Sequence, residues 1–139
     1  MPLHPALADS QRLPPAGNPE QAAVGREHWL ERAADTGVPE IESFAQCVAE
    51  SSTGRVLLDA VFGNSPFLGE CLLAEPTFSR LLLTEGPEAA LAVADADLAL
   101  LQGPSEDEPI RRGLRVARRR TALAVALADI AGIWPLDRV

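Results

Sequence analysis

The sequence has no lysine and no tyrosine, and only four phenylalanines, two tryptophans and two cysteines. Aromatic residues make up 4% of it. Strands draw on aromatic and β-branched side chains, so this shortage argues against an all-β fold. Cys47 and Cys71 lie 24 residues apart, with no Cys-x-x-Cys and no nearby histidine. That arrangement argues against a disulfide framework or a tetrahedral zinc site, and both thiols read as small buried hydrophobes. There is no apolar run of about 18 residues, the minimum for a membrane span. Pro2, His4, Pro5 and Asp9 interrupt the opening, so no charged-then-apolar leader is present. The default expectation is a cytoplasmic protein with no membrane contact.

What is present favours helix. Hydrophobic residues are 47% of the chain, 23 of its residues are alanine, and leucine, arginine and glutamate are prominent. Together with the strand-forming shortage this predicts an all-α fold. The 139 residues suffice for one core. Net charge is −8, which should repel the phosphates of nucleic acid and anionic lipid at long range. The charge is uneven: residues 1–104 carry five arginines against fifteen acids, and residues 105–139 carry seven against five.

Six of the twelve prolines fall within the first 40 residues. Proline removes a backbone donor and disfavours helix for the residue before it. Residues 1–38 are therefore expected to be a proline-rich lead-in, extended or mobile in its first half. A short amphipathic helix follows Pro19, with Val24, His28, Trp29 and Leu30 turned inward and Gly25 weakening it.

From residue 39 the pattern predicts an array of short helices ending in a long one. The first has Ile41, Phe44, Ala45, Val48 and Ala49 at helical spacing and breaks at residues 51–54. A second, over 55–62, carries Leu57, Leu58, Val61 and Phe62 and closes at Gly63-Asn64, where either residue tolerates a left-handed C-cap. Ser65-Pro66 reads as N-cap and first helical position of a third, ending at Glu75-Pro76. The fourth, over 77–84, carries Phe78, Leu81, Leu82 and Leu83 and ends at Gly86-Pro87. An alanine-rich fifth runs to about Leu101 and stops at Gly103-Pro104.

The final helix should open on a Ser105/Glu108 capping box and run to Ala131. Its residues Ile110, Leu114, Ala117, Thr121, Ala124, Ala128 and Ala131 form a narrow small-residue seam that admits a closely packed partner helix. Leu123, Leu127 and Ile130 form a second stripe, expected to lack neighbours within this chain. Trp134-Pro135-Leu136-Asp137 looks like the start of a further helix, and Trp29 and Trp134 read as packing anchors.

The most distinctive charge feature is the run Arg111, Arg112, Arg115, Arg118, Arg119 and Arg120. Guanidinium forks suit phosphates or an acidic protein surface. The structural reading, which outweighs it, pairs Asp107 with Arg111 and Glu108 with Arg112 and lays the other arginines over the acidic segment. Asp95-Ala96-Asp97 has the D-x-D form of a metal-holding carboxylate pair. On a helix, however, residues two apart point about 200° away from each other and cannot share an ion. His4 and His28 have no motif partners. There is no Walker A loop, no G-x-S-x-G, no H-E-x-x-H and no Rossmann fingerprint. No catalytic, cofactor-binding or metal-ligating residue is assigned.

Two stretches resemble a known family. Val61-Phe62-Gly63-Asn64-Ser65-Pro66-Phe67-Leu68, followed by Glu75-Pro76, is similar to a region near the start of the bacterial glutamine synthetase adenylyltransferases. Leu114-Arg115-Val116-Ala117-Arg118-Arg119-Arg120, then Leu127-Ala128-Asp129-Ile130-Ala131-Gly132, resembles that family's L-R-x-x-R-R-R and D-L-A-G pattern, with Ala124 where many members have arginine. The resemblance covers residues 55–139 and only loosely the first 54.

It implies a large enzyme with two nucleotidyltransferase domains. One removes AMP from a tyrosine of glutamine synthetase by phosphorolysis, and the other attaches AMP from ATP with magnesium. A nitrogen-signalling regulator protein and glutamine set the balance. The family's glycine-rich G-x-G-x-x-G-G loop and S-D-x-D motif are absent from this sequence. Residues 39–139 are thus expected to be the helical segment preceding the first catalytic domain, in a cloned fragment or a truncated frame. Such a segment would be non-catalytic alone and would touch the remainder of the enzyme. The competing expectation is a stand-alone adaptor that binds an acidic protein through the Arg111–Arg120 helix.

Overall fold

Five of the seven helices among the described residues begin on a proline. At the first helical position the missing N–H costs nothing, because that group has no intrahelical acceptor, and the fixed φ suits the helix. The computed structural model describes residues 3–8, 13–100 and 108–132. The helices are α1 (Pro19–Asp35), α2 (Pro39–Glu50), α3 (Ser52–Phe62), α4 (Pro66–Ala74), α5 (Pro76–Glu85), α6 (Pro87–Leu100) and α7 (Glu108–Ile130). The fold is all-α, as expected, with no strand among the described residues. None of these helices is long and apolar enough to cross a membrane.

Side-chain caps sharpen the breaks. Asn18 accepts from the Gln21 N–H at 3.0 Å, Ser51 from Gly54 at 2.9 Å and Ser65 from Leu68 at 3.2 Å. The break between α2 and α3 is shorter than the expected 51–54: Ser51 alone is extended, and α3 starts at Ser52. Gly54 permits the tight reversal, since a Cβ there would lie 2.1 Å from the Val48 carbonyl oxygen.

Helix α3 is the centre of the core. Leu57, Leu58, Ala60, Val61 and Phe62 are all essentially inaccessible, and α3 packs against α1, α2 and α4. The α6–α7 pair makes the most extensive helix–helix contact and joins this body through α5 and α4. Small buried side chains face this packing, Ala90 and Ala94 on α6 and Ala117, Ala124 and Ala128 on α7, in keeping with the alanine seam. Ile110, Leu114 and Thr121 of that seam are only half-buried.

Four expectations need correction. In α1 the inward residues are Ala22, Gly25, Trp29 and Ala33, while Val24, His28 and Leu30 are exposed. Helix rotation is set by backbone approach: a Cβ on Gly25 would fall 2.3 Å from Phe62 Cγ. Gly69 of α4 flanks the same ring, with a virtual Cβ 2.8 Å from Phe62 Cδ1. Two glycines thus form the slot that holds Phe62. Trp29 is the expected anchor, donating from Nε1 to the Ala45 carbonyl at 3.0 Å and meeting Phe44 edge-on.

The described part of the proline-rich lead-in packs on the body. Leu3, Leu7 and Leu13 belong to the same apolar cluster as α3 and α7, and the His4 N–H donates to the Leu83 carbonyl at 2.8 Å. At Gly63-Asn64 neither residue is left-handed. Gly63 is required by space, since a Cβ would sit 2.4 Å from that of Ala16. The Asn64 amide donates to the Pro15 and Ala60 carbonyls at 3.0 and 2.9 Å and accepts from the Gly17 N–H at 2.8 Å. That side chain ties the lead-in to the end of α3.

The stripe on α7 does not lack neighbours. Leu123 and Leu127 are buried in the common core, and Ile130 packs against it. The Ser105/Glu108 box, the Asp107–Arg111 pair, the Gly103-Pro104 stop and the Trp134–Asp137 feature lie outside the described residues.

Candidate functional site

Of the six arginines of α7, Arg119 and Arg120 pair with Glu75. Arg120 is about 180° from Arg111 around the helix, so the two cannot serve one face. The Arg120 guanidinium turns inward and grips Glu75 along its Nε/Nη2 edge: Nε lies 3.0 and 3.1 Å from Oε1 and Oε2, and Nη2 lies 2.5 Å from Oε1. Nη1 reaches Asp97 Oδ2 at 2.8 Å. The same group stands 5.4 Å over the Phe78 ring, a cation–π arrangement. One side chain of α7 therefore binds the α4–α5 junction, α5 and α6 together.

Arg120 and Glu75 are mostly sheltered, with 24% and 20% of their side chains exposed. A pair so shielded, with planar bidentate geometry, is stronger than the usual surface pair. The hydrogen bond to Glu75 is the main reason the Arg120 guanidinium is held above its ordinary pKa. Burial opposes this, and the charges of Glu75 and Asp97 reinforce it. Arg119 adds a second cation on Glu75, its Nη2 lying 3.3 Å from Oε2. Glu75 is the N-cap residue of α5, yet its carboxylate makes no cap hydrogen bond because α7 holds it.

Arg111, Arg112, Arg115 and Arg118 are exposed. Arg115 pairs with Glu108 at 3.0 Å along the same helix. The expected Glu108–Arg112 pair does not form: the carboxylate turns one helical turn further along.

Asp95 and Asp97 do not act jointly. Asp97 is engaged by Arg120, and Asp95 is exposed. These residues do not fit a nucleotide–magnesium site. His28 is exposed, and His4 is half-buried, its ring over the backbone of Gly86. Only Cys71 is the buried thiol expected. Cys47 is exposed, because Ile41, Phe44, Ala45 and Val48 take the inner face of α2. Burial pushes the Cys71 thiol up from its ordinary pKa, opposed by Arg119 and aided by Glu70.

Phe78 is the buried apolar residue expected, but sequence reasoning missed its place under Arg120, the ion pairs of Glu75 and the side-chain bonds of Asn64 to the lead-in. A signal existed for Glu75, an acid at a helix junction in an otherwise apolar stretch, but its partner lies 45 residues on. In the Asn64–Leu68 stretch the geometry is structural: Asn64 ties the lead-in, Ser65 caps α4 and Pro66 starts it. Phe67 differs, with 62% of it exposed.

No protein-family model matches the chain, and no solved structure matches it with significance. Curated proteins do match. The bifunctional glutamine synthetase adenylyltransferase/adenylyl-removing enzyme of Rhodopseudomonas palustris is 30% identical over 124 residues, 87% of this chain and 12% of that protein. This chain is similar to one segment of such enzymes. The protein of the same description from Bradyrhizobium diazoefficiens is 39% identical over 88 residues, 62% of this chain and 9% of that protein. That from Xanthobacter autotrophicus is 30% identical over 146 aligned positions, 99% of this chain and 14% of that protein. The chain thus spans about an eighth or less of the length of most of these relatives. The similarity reaches well into the first 54 residues, which the resemblance in residues 55–139 did not anticipate. The packing of α1 and Leu3, Leu7 and Leu13 into the same core as α3 and α7 supplies a physical reason.

Proposed function

We propose that this chain is a helical segment of a bifunctional enzyme that adenylylates and deadenylylates glutamine synthetase, and that it positions a neighbouring catalytic domain without carrying chemistry itself. The observation that supports this most is the breadth of the similarity, up to 99% of this chain against a small share of each relative. The site supports it too: the ionic network around Arg120 is architectural. On this reading glutamine synthetase is the substrate partner and a nitrogen-signalling regulator protein a second partner. ATP and magnesium are bound outside this segment, and the setting is the cytoplasm.

The test is a replacement. The matching segment of the Rhodopseudomonas palustris enzyme is exchanged for this chain, and AMP transfer to and removal from glutamine synthetase are measured. Both activities should survive the exchange, and the 139-residue chain alone should show neither. A soluble chimera inactive in both directions, or turnover by the chain alone, refutes the proposal.

A further inference from the structure

Gly25 and Gly69, which hold Phe62 between α1 and α4, also leave a groove above its ring, with a volume of about 170 Å³. Gln21, Val24 and His28 line it from α1, and Pro66, Glu70 and Leu73 from α4. With the two glycines these residues make the same i, i+3, i+4, i+7 stripe on both helices, so the groove runs along them for about two turns. Its apolar margin faces water: Val24 is 49% exposed, and Phe67, next to Pro66, is 62% exposed. Asn64, Ser65 and Pro66 each serve the fold, whereas the Phe67 ring makes no ring contact among the described residues.

The rims of the groove are acidic. Glu27 and Glu31 stand one turn from Val24 and His28 on α1, Glu70 stands on the α4 side, and all three are exposed. None of them makes an ion pair among the described residues. Arg26 is turned away to Asp59, and Arg32 lies one turn past His28, at one end of the groove. Charge then selects the occupant. Carboxylate rims repel phosphates, which disfavours nucleic acid and anionic lipid. No strand among the described residues offers an edge to an extended segment, so the geometry suits a helix laid in a groove. We propose that the α1–α4 groove docks an amphipathic helix of a partner protein, whose apolar side chain enters between Val24 and Leu73 and whose lysine or arginine side chains meet Glu70 on one rim and Glu27 and Glu31 on the other. The inference does not depend on the enzyme reading above.

The test uses the full 139-residue chain and a fluorescein-labelled helical peptide with leucines at i, i+4 and i+7 and arginines on both flanks, read by fluorescence anisotropy. A second peptide carries glutamates in place of the arginines. The arginine peptide should bind, and should weaken about tenfold in Val24→Ser/Phe67→Ser and again in Glu27→Gln/Glu31→Gln/Glu70→Gln, each checked for helicity by circular dichroism. The glutamate peptide should bind at least about tenfold more weakly to the unaltered chain. Should a variant lose helicity, hydrogen exchange on the unaltered chain carries the test: the arginine peptide should slow exchange in α1 and α4 and leave α6 and α7 unchanged. Absence of binding, equal affinity for the two peptides, unchanged affinity in the folded variants, protection spread over α6 and α7, or a dimer of the chain alone that Val24→Ser/Phe67→Ser dissociates overturns the proposal.

Discussion

Replacing Gly25 with alanine sets two effects of opposite sign against each other. In an exposed helix interior the change stabilises by about 1 kcal/mol, because alanine is the better helix former. Gly25 is buried, however, and its new Cβ would stand 2.3, 2.5 and 2.7 Å from Cγ, Cβ and Cδ1 of Phe62. Phe62 Cβ is fixed to the backbone of α3, so rotating the ring does not relieve the clash. Helix α1 has to move off α3. Over-packing of this kind costs about 1–3 kcal/mol, and the upper end applies where backbone must shift. After subtraction of the propensity gain, Gly25→Ala should destabilise the fold by about 1–2 kcal/mol. For a chain of this size that lowers Tm by about 4–8 °C.

Thermal melts followed by circular dichroism measure this directly. A double-mutant cycle with Phe62→Leu isolates the cause, because the smaller side chain opens the slot. The double variant should be less destabilised than the sum of the singles by about 1 kcal/mol. A higher Tm for Gly25→Ala, or strict additivity with Phe62→Leu, would refute the slot and leave Gly25 as merely a weak helix former.

Arg120→Gln removes the bidentate grip on Glu75 and the bond to Asp97, and should cost about 2 kcal/mol in urea denaturation. Arg118→Gln, on the exposed side of the same helix, should stay within about 0.5 kcal/mol; equal losses would mean that the network does not hold α7 to the body. The raised Cys71 pKa makes stability depend on alkali. The unfolded thiol ionises first as pH rises, so the folded state is fully favoured below the ordinary thiol value of 9.0 and loses stability above it. Melts between about pH 8 and 10 should therefore decline more steeply for the unaltered chain than for Cys71→Ala, and parallel slopes would contradict the burial. A disulfide reagent should label Cys47 at once and Cys71 only on unfolding.

Much of this protein is written locally. The helix starts at Pro19, Pro39, Pro66, Pro76 and Pro87 follow from the chemistry of single residues, because a helix N-terminus is a problem of a few unpaired N–H groups that a proline or a capping side chain solves on the spot. The inner faces of α2 and of the second half of α7 follow equally from apolar spacing, and the similarity to the adenylyltransferases is carried by the sequence alone. Tertiary structure decided whatever depends on distant atoms. It turned α1 onto its alanine–glycine face, because only contact with Phe62 makes the absence of a side chain at Gly25 useful. It drew the leucines of the proline-rich lead-in into the core through Asn64 and Leu83, and left Cys47 outside. It divided one arginine run into two that are locked and four that face water. The position of Glu75, 45 residues from Arg120, determines that division, and no local rule of spacing or propensity carries a relation of that length.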